Sequence, residues 1–101
     1  MSELTESDIK VRRAKPSDAA AIKAFVWDAT RGRIDPDRPE LLEKLGAKGV
    51  LLAHTERLIG LIGFRVENLV ARVEDFLVYP ISLRPLAGRV LIEAMEAEAT
   101  R

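Results

Sequence analysis

Residues 50–79 constrain the fold most. Three strand-length apolar stretches, 50–54, 58–66 and 70–79, follow one another there. Only Thr55-Glu56-Arg57 and, around the turn at Glu67-Asn68, residues 67–69 separate them. Two or three polar residues suffice for a hairpin but not for a crossover, so these strands run antiparallel in sequence order. Pro80 closes the last of them, because proline brings no amide hydrogen to a ladder. Gly60 and Gly63 lie inside the middle strand, where glycine weakens pairing unless backbone must bulge or come close. Lying in a strand, they make no phosphate loop.

Upstream, residues 9–14 alternate, with Ile9 and Val11 on one face and Lys10 and Arg12 on the other, which predicts a first strand. Pro16 breaks it. Ser17 and Asp18 are suited to cap a helix, since their oxygens accept from unpaired backbone amides. Ile22, Phe25, Val26 and Ala29 then form an apolar stripe at helical spacing that stops near Gly32. Residues 31–38 read as a loop. Pro39 opens a short second helix with Leu41, Leu42 and Leu45 inward and Gly46 as its C-cap. In the fourth strand, simple alternation puts Val73 and Leu77 on one face and Phe76 and Val78 on the other. Residues 84–99 predict a last helix with Val90, Leu91, Ala94 and Met95 as its apolar stripe and Arg89 with Glu93 as an i,i+4 pair. The order β-α-α-β-β-β-α describes an α+β fold, a mostly antiparallel four-stranded sheet packed by helices. Residues 1–8 are expected to be a flexible polar lead and 9–101 a single domain.

A chain of 101 residues suits one domain, and a hydrophobic share of 48% suits a globular one. Sixteen basic and sixteen acidic side chains cancel, so neither nucleic acid nor an anionic membrane is an expected partner. Arg31-Gly32-Arg33, followed by Asp35 and Asp37, reads as a solvated loop or a small anion site. The absence of cysteine removes disulfides, thiol nucleophiles and cysteine-ligated zinc, and suits a reducing cytoplasm. His54 is the only histidine and has no acidic helpers at ligand spacing, so no metal is expected. Trp27 stands one residue past Val26, off the main stripe, as partly buried core or an interface anchor. Ser82, like Ser17, reads as a helix cap.

Four stretches carry a family likeness. IKVRRAKPSDAAAIKAFV resembles the opening strand, break and first helix of the GNAT-type N-acetyltransferases. GVLLAHTERLIGLIGFRVEN resembles their second hairpin, VEDFLVYP their fourth strand, and RVLIEAMEAEA the body of their cofactor helix. The resemblance spans residues 9–99 and implies acetyl-CoA, or another acyl-CoA, as cofactor, with transfer of the acyl group to an amine. Backbone at Leu77 and Val78 would then pair with the pantetheine arm. The pyrophosphate would sit on the N-terminus of the last helix, in a turn of pattern Arg/Gln-x-x-Gly-x-Gly/Ala, where free amides and the helix dipole favour an anion. Here those positions fall on Leu83, Leu86 and Gly88, of which only Gly88 fits, and Pro85 removes an amide. Arg84 and Arg89 could supply compensating charge.

Acyl transfer to an amine also needs a base. The resemblance points to Glu67 and Glu74 as candidates, with Asp75 beside them facing the other way. The family continues past its cofactor helix with more strands and a helix whose tyrosine protonates the departing thiolate. Here Tyr79 is the only tyrosine and the chain stops shortly after that helix. The expectation is thus the N-terminal part of such a domain, lacking the usual C-terminal strands and impaired as an enzyme. The alternative is a non-catalytic homodimerisation or partner-binding module of the same descent. An apolar fourth strand at a sheet edge invites pairing, so a homodimer through residues 70–79 and the last helix is the expected assembly.

Overall fold

Among the residues that the computed structural model describes, 4–47 and 49–100, the elements follow the expected order. They are β1 (Lys10–Arg13), α1 (Ala19–Thr30), α2 (Arg38–Ala47), β2 (Gly49–His54), β3 (Leu58–Glu67), β4 (Val70–Val78) and α3 (Arg84–Ala99). The expectations placed on residues 1–3 and 101 lie outside the described residues. The sheet order is β1-β2-β3-β4, and every pairing is antiparallel. β4 is therefore an edge strand.

Pro16 opens a short 3-10 turn, Pro16–Asp18, that runs directly into α1. Asp18 holds the N-cap position of α1 without capping it. Its carboxylate accepts the Lys15 amide at 2.7 Å and two hydrogen bonds from the Arg12 guanidinium, each 2.8 Å. A charged fork-to-carboxylate pair outcompetes the neutral cap geometry. At the other end Arg31 takes the left-handed conformation, φ 54°, and Gly32 follows at φ 78°. The Gly32 amide then reaches back to the Trp27 carbonyl, 2.8 Å, which stops the helix where the glycine predicted.

α2 starts on Asp37, whose side chain accepts the Glu40 amide at 2.8 Å. Leu41 is buried and Leu45 half-buried, one turn apart on one stripe. Leu42 lies a hundred degrees round the helix and faces out, contrary to the expected inward trio. Gly46 is inside the helix and does not cap it.

The helices cover both faces of the sheet. On one, α3 sets Ala87, Leu91 and Met95 against Ile9, Leu51, Ala53, Ile59, Ile62 and Phe64. On the other, α1 and α2 set Ile22, Phe25, Val26 and Leu41 against Val50, Leu52 and Leu61. β2 is thus covered on both sides, which is why residues 50–53 are continuously apolar and do not alternate. Leu52, Ile59, Ile62 and Leu91 are the largest fully buried side chains; burying each is worth about 1.5–3 kcal/mol. In α3, Gly88 is buried too, because a Cβ there would stand 3.2 Å from Cζ of Phe76. Arg89 turns outward to Glu6 at 3.3 Å in place of the expected Glu93 partner.

A bulge in β4 resets the side-chain pattern. Asp75 is opposite Gly63 and Val73 is opposite Phe64, which leaves Glu74 as the extra residue. Simple alternation therefore fails at this point. Val73 joins Phe76 and Val78 on the α3 face, while Asp75 and Leu77 share the α1–α2 face.

Candidate active site

The end of β4 brings three kinds of group together. The first is edge backbone. The Tyr79 amide donates to the Ile59 carbonyl at 2.9 Å, which sets the hydrogen-bonding phase of the ladder at that pair. Partners alternate along an antiparallel ladder, so Leu77 turns its backbone toward Leu61, and Phe76 and Val78 turn theirs outward from the sheet. Of the two expected backbone positions, Val78 faces the open edge and Leu77 faces β3.

The second group is a helix start. A 3-10 turn, Ile81–Leu83, precedes α3 without a break, so the helical run begins at Ile81 behind Pro80. The amides of Ile81 and Ser82 lie in the first turn of that run, where no preceding carbonyl can accept them from within the helix. The proline at residue 85 falls after this turn and leaves those amides in place. Leu83 and Leu86 are packed on the core under α3, so their bulk is directed inward. The Arg84 guanidinium lies 5.9 Å from the Phe76 ring centre, close to the same turn. Gly88 is a packing residue beneath Phe76, and Arg89, paired with Glu6, is further along the helix.

The third group is a pocket on the opposite face. Ile22, Val26, Leu41, Val50, Leu61 and Leu77 wall a cavity of about 100 Å³, with Pro36 and Ile34 from the α1–α2 connection at its rim. Lys23 fixes that connection, since its ammonium donates to Asp35 at 2.6 Å and to the Pro36 carbonyl at 2.9 Å. Leu45, Lys44 and the Asp75 side chain also line it. Gly63 makes room for the carboxylate, because a Cβ on that residue would sit 2.9 Å from Asp75 Oδ2.

The two glutamates named from sequence lie elsewhere. Glu74 receives the Arg65 guanidinium at 2.6 Å. Glu67 lines a wide groove of about 510 Å³ together with Arg13, Arg65 and Glu98. It stands four residues beyond Gly63 on β3, roughly 13 Å along the strand from the residue opposite Asp75. The residue that sequence reading ranked behind them is the one at the pocket. Its signal was Gly63, a strand glycine directly opposite it. Among the described residues no cluster of three metal-ligating side chains occurs, and no helix is long and apolar enough to cross a membrane.

No protein-family model matches the sequence, and no curated protein matches it significantly. Solved structures do match. An acetyltransferase from Trypanosoma brucei superposes with a TM-score of 0.69 at 16% identity, over 92% of this chain and 75% of that one. The PaiA N-acetyltransferase of Thermoplasma acidophilum, solved with coenzyme A, gives 0.73 at 15% identity over 91% and 72%. A ribosomal-protein-alanine N-acetyltransferase from Brucella melitensis biovar Abortus gives 0.72 at 17% identity over 91% and 72%. Identities this low establish the fold, which is the α+β arrangement of the GNAT-type acetyltransferases.

Proposed function

We propose that this chain is an acyltransferase-type domain that binds acetyl-CoA or another acyl-CoA at the end of β4 and transfers the acyl group to an amine in the pocket beneath α1 and α2. The observation that carries this is the double duty of one strand. Phe76 and Val78 offer outward amides and carbonyls beside the helix start at Ile81, while Asp75 and Leu77 between them face the pocket.

The residues present fit such a cofactor. The edge backbone of Val78 matches an extended, amide-bearing arm. The first-turn amides at Ile81 and Ser82, with the Arg84 guanidinium nearby, suit a pyrophosphate. Acetyl-CoA, when bound, supplies an acyl group activated as a thioester. Asp75 has the base's part: its carboxylate takes the proton that an ammonium must shed before the nitrogen lone pair can attack a carbonyl carbon. An outward N–H at Phe76, next to Asp75 on the strand, is in place to stabilise the oxygen on which charge develops. The apolar walls keep water from competing for the acyl group.

Calorimetric titration with acetyl-CoA tests the first half of this reading. Saturable micromolar binding is expected, and no heat at millimolar cofactor would leave the likeness as one of fold alone. For the second half, Asp75→Asn is expected to lower acyl transfer about a hundredfold or more while leaving cofactor binding intact.

A second reading has its own observation. Val70 and Val73 are 66% and 44% exposed on an edge strand, and Leu69 at the hairpin tip is 79% exposed. Edge-to-edge pairing of two copies about a two-fold axis would cover them. Light scattering at micromolar concentration decides, since a monomer removes this reading.

A further inference from the structure

We infer that Lys23 is a positioning residue of the acceptor pocket. It latches the connection between α1 and α2 so that Ile34 and Pro36 stay at the rim, and an occupant is held more tightly for it. The inference deepens the acyl-transfer reading and rests on it.

After Gly32 the chain turns back along α1, and two side chains of that helix hold it there. The Ile34 amide donates to Oγ1 of Thr30 at 3.1 Å. The Lys23 ammonium donates to Asp35 at 2.6 Å and to the Pro36 carbonyl at 2.9 Å. Thr30 and Lys23 lie about two turns, or ~10 Å, apart along the helix axis, so the connection is pinned at two separate places. The second pin falls at the cavity itself. It grips Asp35 and Pro36, and the rim residues are Ile34 and Pro36. Pro36 has no amide hydrogen, so its carbonyl is its one polar backbone handle, and Lys23 holds it. Ile22 and Val26, which flank Lys23 on α1, are walls of the same cavity. One stretch of helix thus supplies both a wall and the latch.

The latch is a releasable one. The Lys23 and Asp35 side chains are 42% and 51% exposed, so water and salt screen the pair and it can part and re-form. Apolar walls attract an occupant in proportion to the area they cover. Ile34 and Pro36 add to that area only while the connection lies against α1.

The test uses the intact protein and the methyl signals of Leu61 and Leu77 in an NMR titration. The probe is butan-1-ol, which is neutral, so that loss of the lysine's charge does not itself act on the ligand. Saturable shifts are expected in the native chain. Lys23→Met should weaken binding about fivefold, the upper end for a half-exposed ion pair. Lys23→Arg, whose fork can reach both a carboxylate and a carbonyl, should restore it to within about twofold. Asp35→Asn should fall between. The urea midpoint should stay unchanged in all three, whereas a role in stability alone would move it and leave affinity for the alcohol intact. No shift in the native chain, equal affinity in Lys23→Met, or no rescue by arginine would each overturn the inference. A calorimetric titration with acetyl-CoA tells its failure from that of the acyl-transfer reading. A lysine effect without cofactor binding by the native chain removes that reading and leaves the latch. Cofactor binding without a lysine effect removes only the latch.

Discussion

Gly63 lies directly across the sheet from Asp75, and the space a Cβ would take on the glycine is held by the carboxylate, 2.9 Å from Oδ2. Stability and function should therefore respond differently to one methyl group. The nearest obstructing atom is the far end of a side chain, with Asp75 Cβ next at 3.3 Å, and alanine also narrows the unfolded ensemble. Gly63→Ala is expected to change folding stability by less than about 1 kcal/mol, read by urea denaturation. Acyl transfer, measured in parallel, should fall about tenfold or more because Asp75 is displaced.

The two arginines of α3 should separate. Arg84 lies at the helix start over Phe76, whereas Arg89 is a turn further on and engaged with Glu6. Arg84→Gln is expected to weaken acetyl-CoA binding about tenfold, the scale of one lost charge-assisted bond to phosphate. Arg89→Gln should weaken it by less than about threefold, because a surface charge in high dielectric contributes little. Calorimetry on both variants checks the order.

Acid should loosen the junction between β1 and α1. The Arg12 guanidinium, helped by the Lys15 amide, holds the Asp18 carboxyl down at about 2, against an ordinary 3.8. A depressed carboxyl contributes stability that is fully present above its unfolded value and is lost as pH falls through the folded one. The window therefore runs from about pH 4 down to about pH 2. Asp18 is 14% exposed but Arg12 is 46% exposed, so screening limits the contribution to about 1 kcal/mol. Unfolding curves of the native chain and of Asp18→Asn should differ by that amount at pH 6 and converge near pH 2.

The centre of the α3 face is the other sensitive point. Leu91 is fully buried, with its methyl 3.0 Å from where a Cβ on Gly60 would stand. Leu91→Ala is expected to cost about 3 kcal/mol, since both partners sit in rigid elements and the void cannot close. Thermal or urea unfolding gives the number.

The fold was readable because its signals are local. Tight polar turns fix the meander, and Gly32, Pro39 and Pro80 punctuate the rest where hydrogen bonding requires it. Continuous apolar character in residues 50–53 had the same cause, a strand covered on both faces. What escaped depends on pairing between distant residues. Alternation alone could not place the bulge at Glu74, and so Val73 was assigned to the wrong face. Likewise, nothing in the order Ser17-Asp18 reveals that Asp18 turns back six residues to Arg12 in place of capping its helix. The start of the last helix was read from its residue types; the 3-10 turn at Ile81, ahead of Pro85, depends on backbone geometry.

The chain contains one tryptophan, and it sits against the connection between α1 and α2. Trp27 packs its ring on Gly32, within 3.0 Å of a Cβ built there, and keeps 49% of its surface in water. Gly32 belongs to the same connection that carries Ile34 and Pro36 to the pocket rim. An indole so placed is quenched by solvent on one side and shielded by backbone on the other. Its emission therefore reports on the packing between α1 and that connection. The molecule thus carries its own optical reporter of the α1–α2 junction, with no label attached.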